Sequence, residues 1–275
     1  MDHRGAHLLA FDSGIGGFGI VGALRARLPD ARITMLADTA FYPYGEVADA
    51  ALIARIEDVI ARAIRRFAPD AVVIACNTAS TVALGRLRER FELPFVGCVP
   101  PIKWAASLSR TRTIGLLATA ATVRRPYLSD LARRFAPDCR LIAHGARGLA
   151  DMAEAAFREQ PIDRDAIRHE LGALLSQEGG DAIDTICIGC THYSFLLDVL
   201  REASPAGIVW LDPAEAVARR TEAVLASLPA GHGGHGGGQA YFTAMPVAAE
   251  RLGPGLARFG YDGFSLFEAE TTPRT

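Results

Sequence analysis

Two cysteines stand in closely similar surroundings. Cys76 lies in IACNTAS (74–80) and Cys190 in IGCTHYS (188–194). Each ends an apolar run, follows a small residue and precedes hydrogen-bonding side chains: Asn77 and Thr78 in one case, Thr191 and His192 in the other. A free cysteine usually packs as a small hydrophobe, and Cys98, Cys139 and Cys187 are read that way. Cys76 and Cys190 are read as reactive, because they recur together at predicted strand ends. There the start of a following helix favours the thiolate. Two similar thiols facing one site suit proton transfer at a stereogenic carbon. One removes the proton and the other delivers a proton to the opposite face. Inversion requires two groups, and reversibility requires similar ones. Asn77, Thr78 and Thr191 would donate to the carbanion-like transition state. Asp12 and His192 are the charged candidates beside the thiols, His192 as orienter or proton partner.

Other motifs carry less. Cys187 and Cys190 form a C-x-x-C, but Cys187 is predicted inside a strand, so a dithiol redox role is disfavoured. FDSGIGGFG (11–19) has glycines without the G-x-G-x-x-G spacing of a dinucleotide loop, and Asp12 would repel phosphate. It reads as close backbone approach to a small ligand, with Asp12 and Ser13 pointing at it. YPYGE (42–46) is a tight turn in which Gly45 permits a similar approach. His232 and His235 in GHGGHGGG (231–238) read as a surface linker rather than a metal pair.

The elements that must hold these residues are short branched runs alternating with helical patterns. Strands are predicted at 7–11, 32–36, 71–75, 94–97, 113–117, 140–144, 185–189 and 207–211. A helix is predicted from Glu46 to Phe67, with Ile53, Ile56, Ile60, Ile64 and Phe67 as its apolar stripe. This alternation implies parallel sheets covered by helices, which bind ligands beyond the carboxyl ends of their strands. DAVVIACNTAS (70–80) aligns with DTICIGCTHYS (184–194), and HLLAFDS near the start echoes TIGLLATA (113–120). The repeat predicts two similar α/β domains with mainly parallel sheets and the site in the cleft between them. The expected division is 1–97 with 211–275, and 98–210.

The 275 residues carry 29 Lys+Arg against 31 Asp+Glu, and no long basic run points to nucleic acid. No run is long and apolar enough to cross a membrane, and MDHRGAHLLAFDS lacks the apolar stretch of a signal peptide. Five scattered cysteines suit a reducing, cytoplasmic setting. The chain's only lysine, Lys103, lies outside the motifs. Neither a metal nor an organic cofactor is expected.

FDSGIGG, ADTAFYPYGE, ACNTAS and GCTHYSFL resemble, in this order, the signature segments of the glutamate racemase family, within the aspartate/glutamate racemase group. LLATAATVRRPY (116–127) and LDPAEAVARR (211–220) extend the likeness over nearly the whole chain. The resemblance implies a cofactor-independent enzyme of two α/β domains that interconverts L- and D-glutamate for peptidoglycan. It implies Cys76 and Cys190 as catalytic thiols, with Cys190 assisted by His192. Its substrate-binding pairs fall on Asp12-Ser13, Tyr44-Gly45, Asn77-Thr78 and Thr191-His192, and its T-x-x-T on Thr119 and Thr122. There are departures. Ser194 stands where many members have proline, and GARGLADMAE replaces the usual acidic segment, with Glu154 the candidate for the acidic position. The alternatives are an aspartate or other amino-acid racemase of the same group, and a non-catalytic amino-acid-binding protein on this scaffold. A homodimer is compatible with the sequence.

Overall fold

A computed structural model describes residues 5–228 and 236–267. His232 and His235 lie outside the described residues. The strands are β1 (His7–Asp12), β2 (Arg32–Ala37), β3 (Ala71–Ile74), β4 (Phe95–Gly97), β5 (Thr113–Thr119), β6 (Arg140–Ala146), β7 (Thr185–Ile188), β8 (Val209–Leu211), β9 (Ala240–Phe242) and β10 (Phe264–Leu266). The helices are α1 (Gly17–Arg27), α2 (Asp49–Phe67), α3 (Asn77–Arg90), α4 (Ile102–Leu108), α5 (Ala120–Arg124), α6 (Pro126–Phe135), α7 (Leu149–Phe157), α8 (Arg164–Leu175), α9 (Leu197–Ala203), α10 (Ala214–Leu225) and α11 (Leu252–Arg258).

Two sheets form, both parallel in every pairing. One runs β10-β9-β2-β1-β3-β4 and the other β6-β5-β7-β8. The order β2-β1-β3-β4 is repeated by β6-β5-β7-β8, so the sequence repeat is a repeat of topology. In this correspondence β1 matches β5, and β3 matches β7. Each cysteine motif therefore follows the equivalent strand of its own sheet.

The inner strands read as continuous apolar runs because helices cover both faces. In the first sheet, Leu8, Ala10, Met35 and Val73 face one cluster with Phe18 and Leu24 of α1. Leu9, Phe11, Val72 and Ile74 face the other, with Ile56 and Ile60 of α2 and Ala79 and Ala83 of α3. Alternate residues of a strand point to opposite faces, which sorts neighbours into different cores. In the second sheet, Cys187 packs with Leu116 and with Ile102 of α4, on the opposite side from Cys190. All five cysteines are free thiols.

After β8 the chain returns to the first sheet. Helix α10 lies along α1, joined by Arg27 to Glu215 (3.0 Å) and Glu222 (2.7 Å), and β9 and β10 extend the sheet beyond β2. Those two strands have no counterpart in the sequence reading. The predicted helix at 46–67 begins later, at Asp49, because Tyr44–Glu46 forms a 3-10 turn and Val47 and Ala48 are extended. Its buried face is Leu52, Ile56, Val59, Ile60 and Ala63, while Ile53, Ile64 and Phe67 are half-buried.

Candidate active site

The carboxyl ends of β1, β3, β5 and β7 converge on one small cavity of about 30 Å³ between the two sheets. Ser13, Tyr44, Gly45, Cys76, Asn77, Thr78, Thr119, Cys190, Thr191 and His192 line it, with Tyr42, Pro43 and Ala150. The other two sequence candidates stand immediately behind this wall. Asp12 is wholly buried, and Thr122 is hydrogen-bonded to Thr119 with hydroxyl oxygens 2.9 Å apart.

Cys76 caps α3, its sulfur accepting the Ala79 N–H at 3.5 Å, and Ser13 Oγ is 3.8 Å from the sulfur. The helix start was expected to favour the thiolate, but burial dominates and pushes the Cys76 thiol up. The nearby Asp12 carboxylate adds to the rise, while the Ala79 N–H and Ser13 hydroxyl oppose it. Cys190 differs from expectation in another way. It precedes the 3-10 segment Thr191–Leu196, not an α-helix, so no full helix dipole acts on it. Its closest polar neighbour is His192 Nδ1, 3.9 Å from the sulfur.

The imidazole of His192 is buried, which by itself disfavours charge. Hydrogen bonding to Cys190 and Glu154 outweighs this and raises its pKa well above the ordinary value. Glu154, on α7, places Oε1 3.2 Å from His192 Nε2, accepts the Ile15 N–H at 3.1 Å and pairs with Arg158 at 2.6 Å. Burial works against its charge, but His192, Arg158 and the Ile15 N–H hold its carboxyl below the usual range. Glu154, the candidate for the family's acidic position, thus lies behind His192.

The Asp12 carboxylate accepts from the Thr191 hydroxyl (3.0 Å), the Ser13 hydroxyl (3.2 Å) and the Gly14 N–H (3.0 Å). Burial pushes its pKa up, and His192 and these donors act against the rise. It braces Thr191 from behind the cavity wall. The glycine loop, read from sequence as approaching a ligand, approaches the second half. A Cβ on Gly16 would stand 2.5 Å from Thr191 Oγ1 and 2.7 Å from His192 Nδ1.

Two residues of the site escaped the sequence reading. The Tyr42 ring packs on His192, with centroids 5.5 Å apart, and its hydroxyl donates to Asp151 at 3.1 Å. Asp38, wholly buried at the end of β2, accepts the Tyr44 hydroxyl at 2.8 Å. Both lie in ADTAFYPYGE, but nothing in that stretch shows that its partners come from distant segments.

Asn77 is the unusual group. Its amide nitrogen and oxygen are both buried and have no hydrogen-bond partner, although the residue lines the cavity beside Cys76. Buried polar groups are nearly always paired, so an unpaired amide at a cavity wall fits a ligand that completes it. Among the described residues, no three His, Cys, Asp or Glu side chains cluster as a metal-binding set. No helix there is long and apolar enough to cross a membrane.

Residues 19–221 match the family described as Asp/Glu/Hydantoin racemase. The chain is 56% identical over 215 residues to the glutamate racemase of Granulibacter bethesdensis, covering 78% of this chain and 77% of that protein. It is 44% identical over 215 residues to the glutamate racemase of Sphingopyxis alaskensis, covering 78% and 80%. Its fold is similar to that of Escherichia coli glutamate racemase, solved in complex with L-glutamate and the activator UDP-MurNAc-Ala. The TM-score is 0.89 and the identity 35%, over 96% of this chain and 98% of that one.

Proposed function

This chain belongs to the Asp/Glu/hydantoin racemase family, and from that premise we propose that Cys76 and Cys190 interconvert L- and D-glutamate by two-base proton transfer. Glutamate racemisation is the activity of its relatives at 56% and 44% identity and is the activity of this chain. The observation that most supports the two-thiol reading is the shared cavity. One thiol comes from the end of β3 and the other from the end of β7, on the two topologically equivalent strands.

In this reading the α-carbon of glutamate sits between the two sulfurs. One thiolate takes the α-proton, and the opposite thiol gives its proton to the other face. The amino acid leaves inverted and the thiols exchange roles. The Asn77 amide and the Thr78 and Thr191 hydroxyls hold the α-carboxylate, where negative charge develops. The Thr119 hydroxyl, supported by Thr122, serves the side-chain carboxylate. The substrate ammonium enters next to Cys76, and its charge brings down the thiol that burial has pushed up. Cys190 has His192 as its proton partner, with Glu154 behind.

The chemistry asks for no metal or organic cofactor, since the two side chains perform both proton transfers. In this proposal the enzyme works in the cytoplasm, a setting that its free thiols and its product support, and supplies D-glutamate for peptidoglycan. We assign 1–97 with 211–275 to one domain and 98–210 to the other, each giving one thiol to the cleft. The test is polarimetric. L-Glutamate in metal-free, cofactor-free buffer should lose optical rotation to zero. Activity that disappears on dialysis against chelator and returns with a metal ion would contradict the proposal.

A further inference from the structure

We propose that Arg55 is a positioning residue for the substrate-binding wall, acting through Asp38 and Tyr44 without touching substrate. The inference rests on the reading of the cavity as the glutamate site.

The Asp38 carboxylate is a junction. It accepts Arg55 Nη2 at 2.6 Å and Arg55 Nε at 3.0 Å, the Tyr44 hydroxyl at 2.8 Å and the Thr243 hydroxyl at 2.6 Å. Its own N–H donates to Asp12 O at 2.8 Å, which fixes the junction to the end of β1. The guanidinium of Arg55, on α2, also lies over the Phe41 ring at 4.7 Å. Thr243 further accepts the Ala40 N–H at 3.1 Å, and the Thr39 hydroxyl donates to Ala244 O at 2.7 Å. Segment 38–46 is therefore clasped between α2 and the end of β9. That segment carries Tyr42, Tyr44 and Gly45 into the cavity wall.

Among the described residues, Arg55 is the one cation in the clasp; Tyr44 and Thr243 are neutral donors. A wholly buried carboxylate without its cation either takes up a proton or draws in water. Either event loosens the Tyr44 hydroxyl, and with it the turn that carries Gly45. The planar fork of arginine meets both carboxylate oxygens at once, which a lysine ammonium cannot do.

The experiment compares Arg55→Met, Arg55→Lys, Tyr44→Phe and the combined variants, by racemisation in both directions and by thermal melting. Arg55→Met should raise KM for glutamate about tenfold, the worth of a hydrogen bond to a charged group, with kcat altered much less. Arg55→Lys should recover part of that loss. Tyr44→Phe should also raise KM, and adding it to either arginine variant should raise KM no further, because the two act in series. Enantiomers have equal free energies, so kcat/KM must fall by one common factor in both directions. A lowered melting temperature with unchanged KM, or effects that multiply in the combined variant, would overturn the inference. If Arg55→Met does not fold, Arg55→Lys with Tyr44→Phe decides by the same criterion. Wild-type protein without activity on glutamate would overturn the proposed function and this inference with it. Active wild type with an unmoved KM overturns this inference alone.

Discussion

Burial pushes the Cys76 thiol up, so in the proposed mechanism the substrate ammonium helps to generate the base. Cys76→Ser and Cys190→Ser should each keep the fold, because the change is nearly isosteric. Each should lose racemisation by about 10²–10⁴-fold or more, the usual contribution of a positioned base. Near-normal turnover by either variant in a chiral assay would make His192 or Asp12 the leading base. Cys187→Ser is the contrasting case, since that side chain is fully buried in the core of the second sheet. It should leave turnover nearly intact while lowering stability by about 1–3 kcal/mol for an unpaired hydroxyl, read by denaturant unfolding. His192 predicts a pH effect with a definite sign. Its native pKa is raised, so the folded protein binds this proton more tightly than the unfolded chain does. The stabilisation is complete below the unfolded value of about 6.5 and is lost as pH rises through the native value. The stability difference between wild type and His192→Asn should therefore narrow as pH is raised above neutrality. A difference that widens with pH would contradict a charged native imidazole.

The elements that hold these side chains were legible to different degrees. The strands β1 to β8 could be read from sequence because branched, apolar runs bounded by turns need no distant partner to announce them. The strands β9 and β10 could not, since AYF (240–242) and FSL (264–266) contain no β-branched residue, unlike the equally short β4 and β8. The paired cysteines were legible because the motif occurs twice on equivalent strands. Asp38 was not, because its meaning lies in contacts with Arg55 and Thr243 rather than in local spacing, and Glu154 was reached only through the family resemblance, its contact with His192 being visible only in the structure. The surroundings of Cys76 were only partly legible for a related reason: a helix start is visible in sequence, and the depth of burial is not. The glycine loop between β1 and α1 makes a prediction at this scale. Gly16→Ala should overpack against Thr191 and His192 and cost about 1–3 kcal/mol. Activity should fall more than stability, because the displaced atoms are those of the site. Wild-type kcat/KM in a folded Gly16→Ala protein would show that the loop tolerates rearrangement.

At the scale of the molecule, Cys76 and Cys190 reach one cavity from the ends of β3 and β7, the equivalent strands of the two sheets. If the two walls part to admit substrate, the contacts across the mouth set how readily they do so. Two polar contacts reach across the mouth, Tyr42 to Asp151 (3.1 Å) and Arg125 to Asp49 (2.7 Å). Removing both, as in Tyr42→Phe with Arg125→Ala, should weaken closure by about 1 kcal/mol, given the exposure of the two acids. KM should rise while the melting temperature barely moves; an unchanged KM would mean that these contacts do not hold the closed state. In the proposed mechanism, proton removal and proton delivery belong to different thiols on opposite faces. It is tested most directly by following L-glutamate in heavy water at early times, with chiral separation and mass analysis of both enantiomers. The D-glutamate formed should carry deuterium at the α-carbon, while recovered L-glutamate remains protiated. D-Glutamate that retains the substrate's own α-proton would mean that a single base carries it between faces and would contradict the two-thiol mechanism.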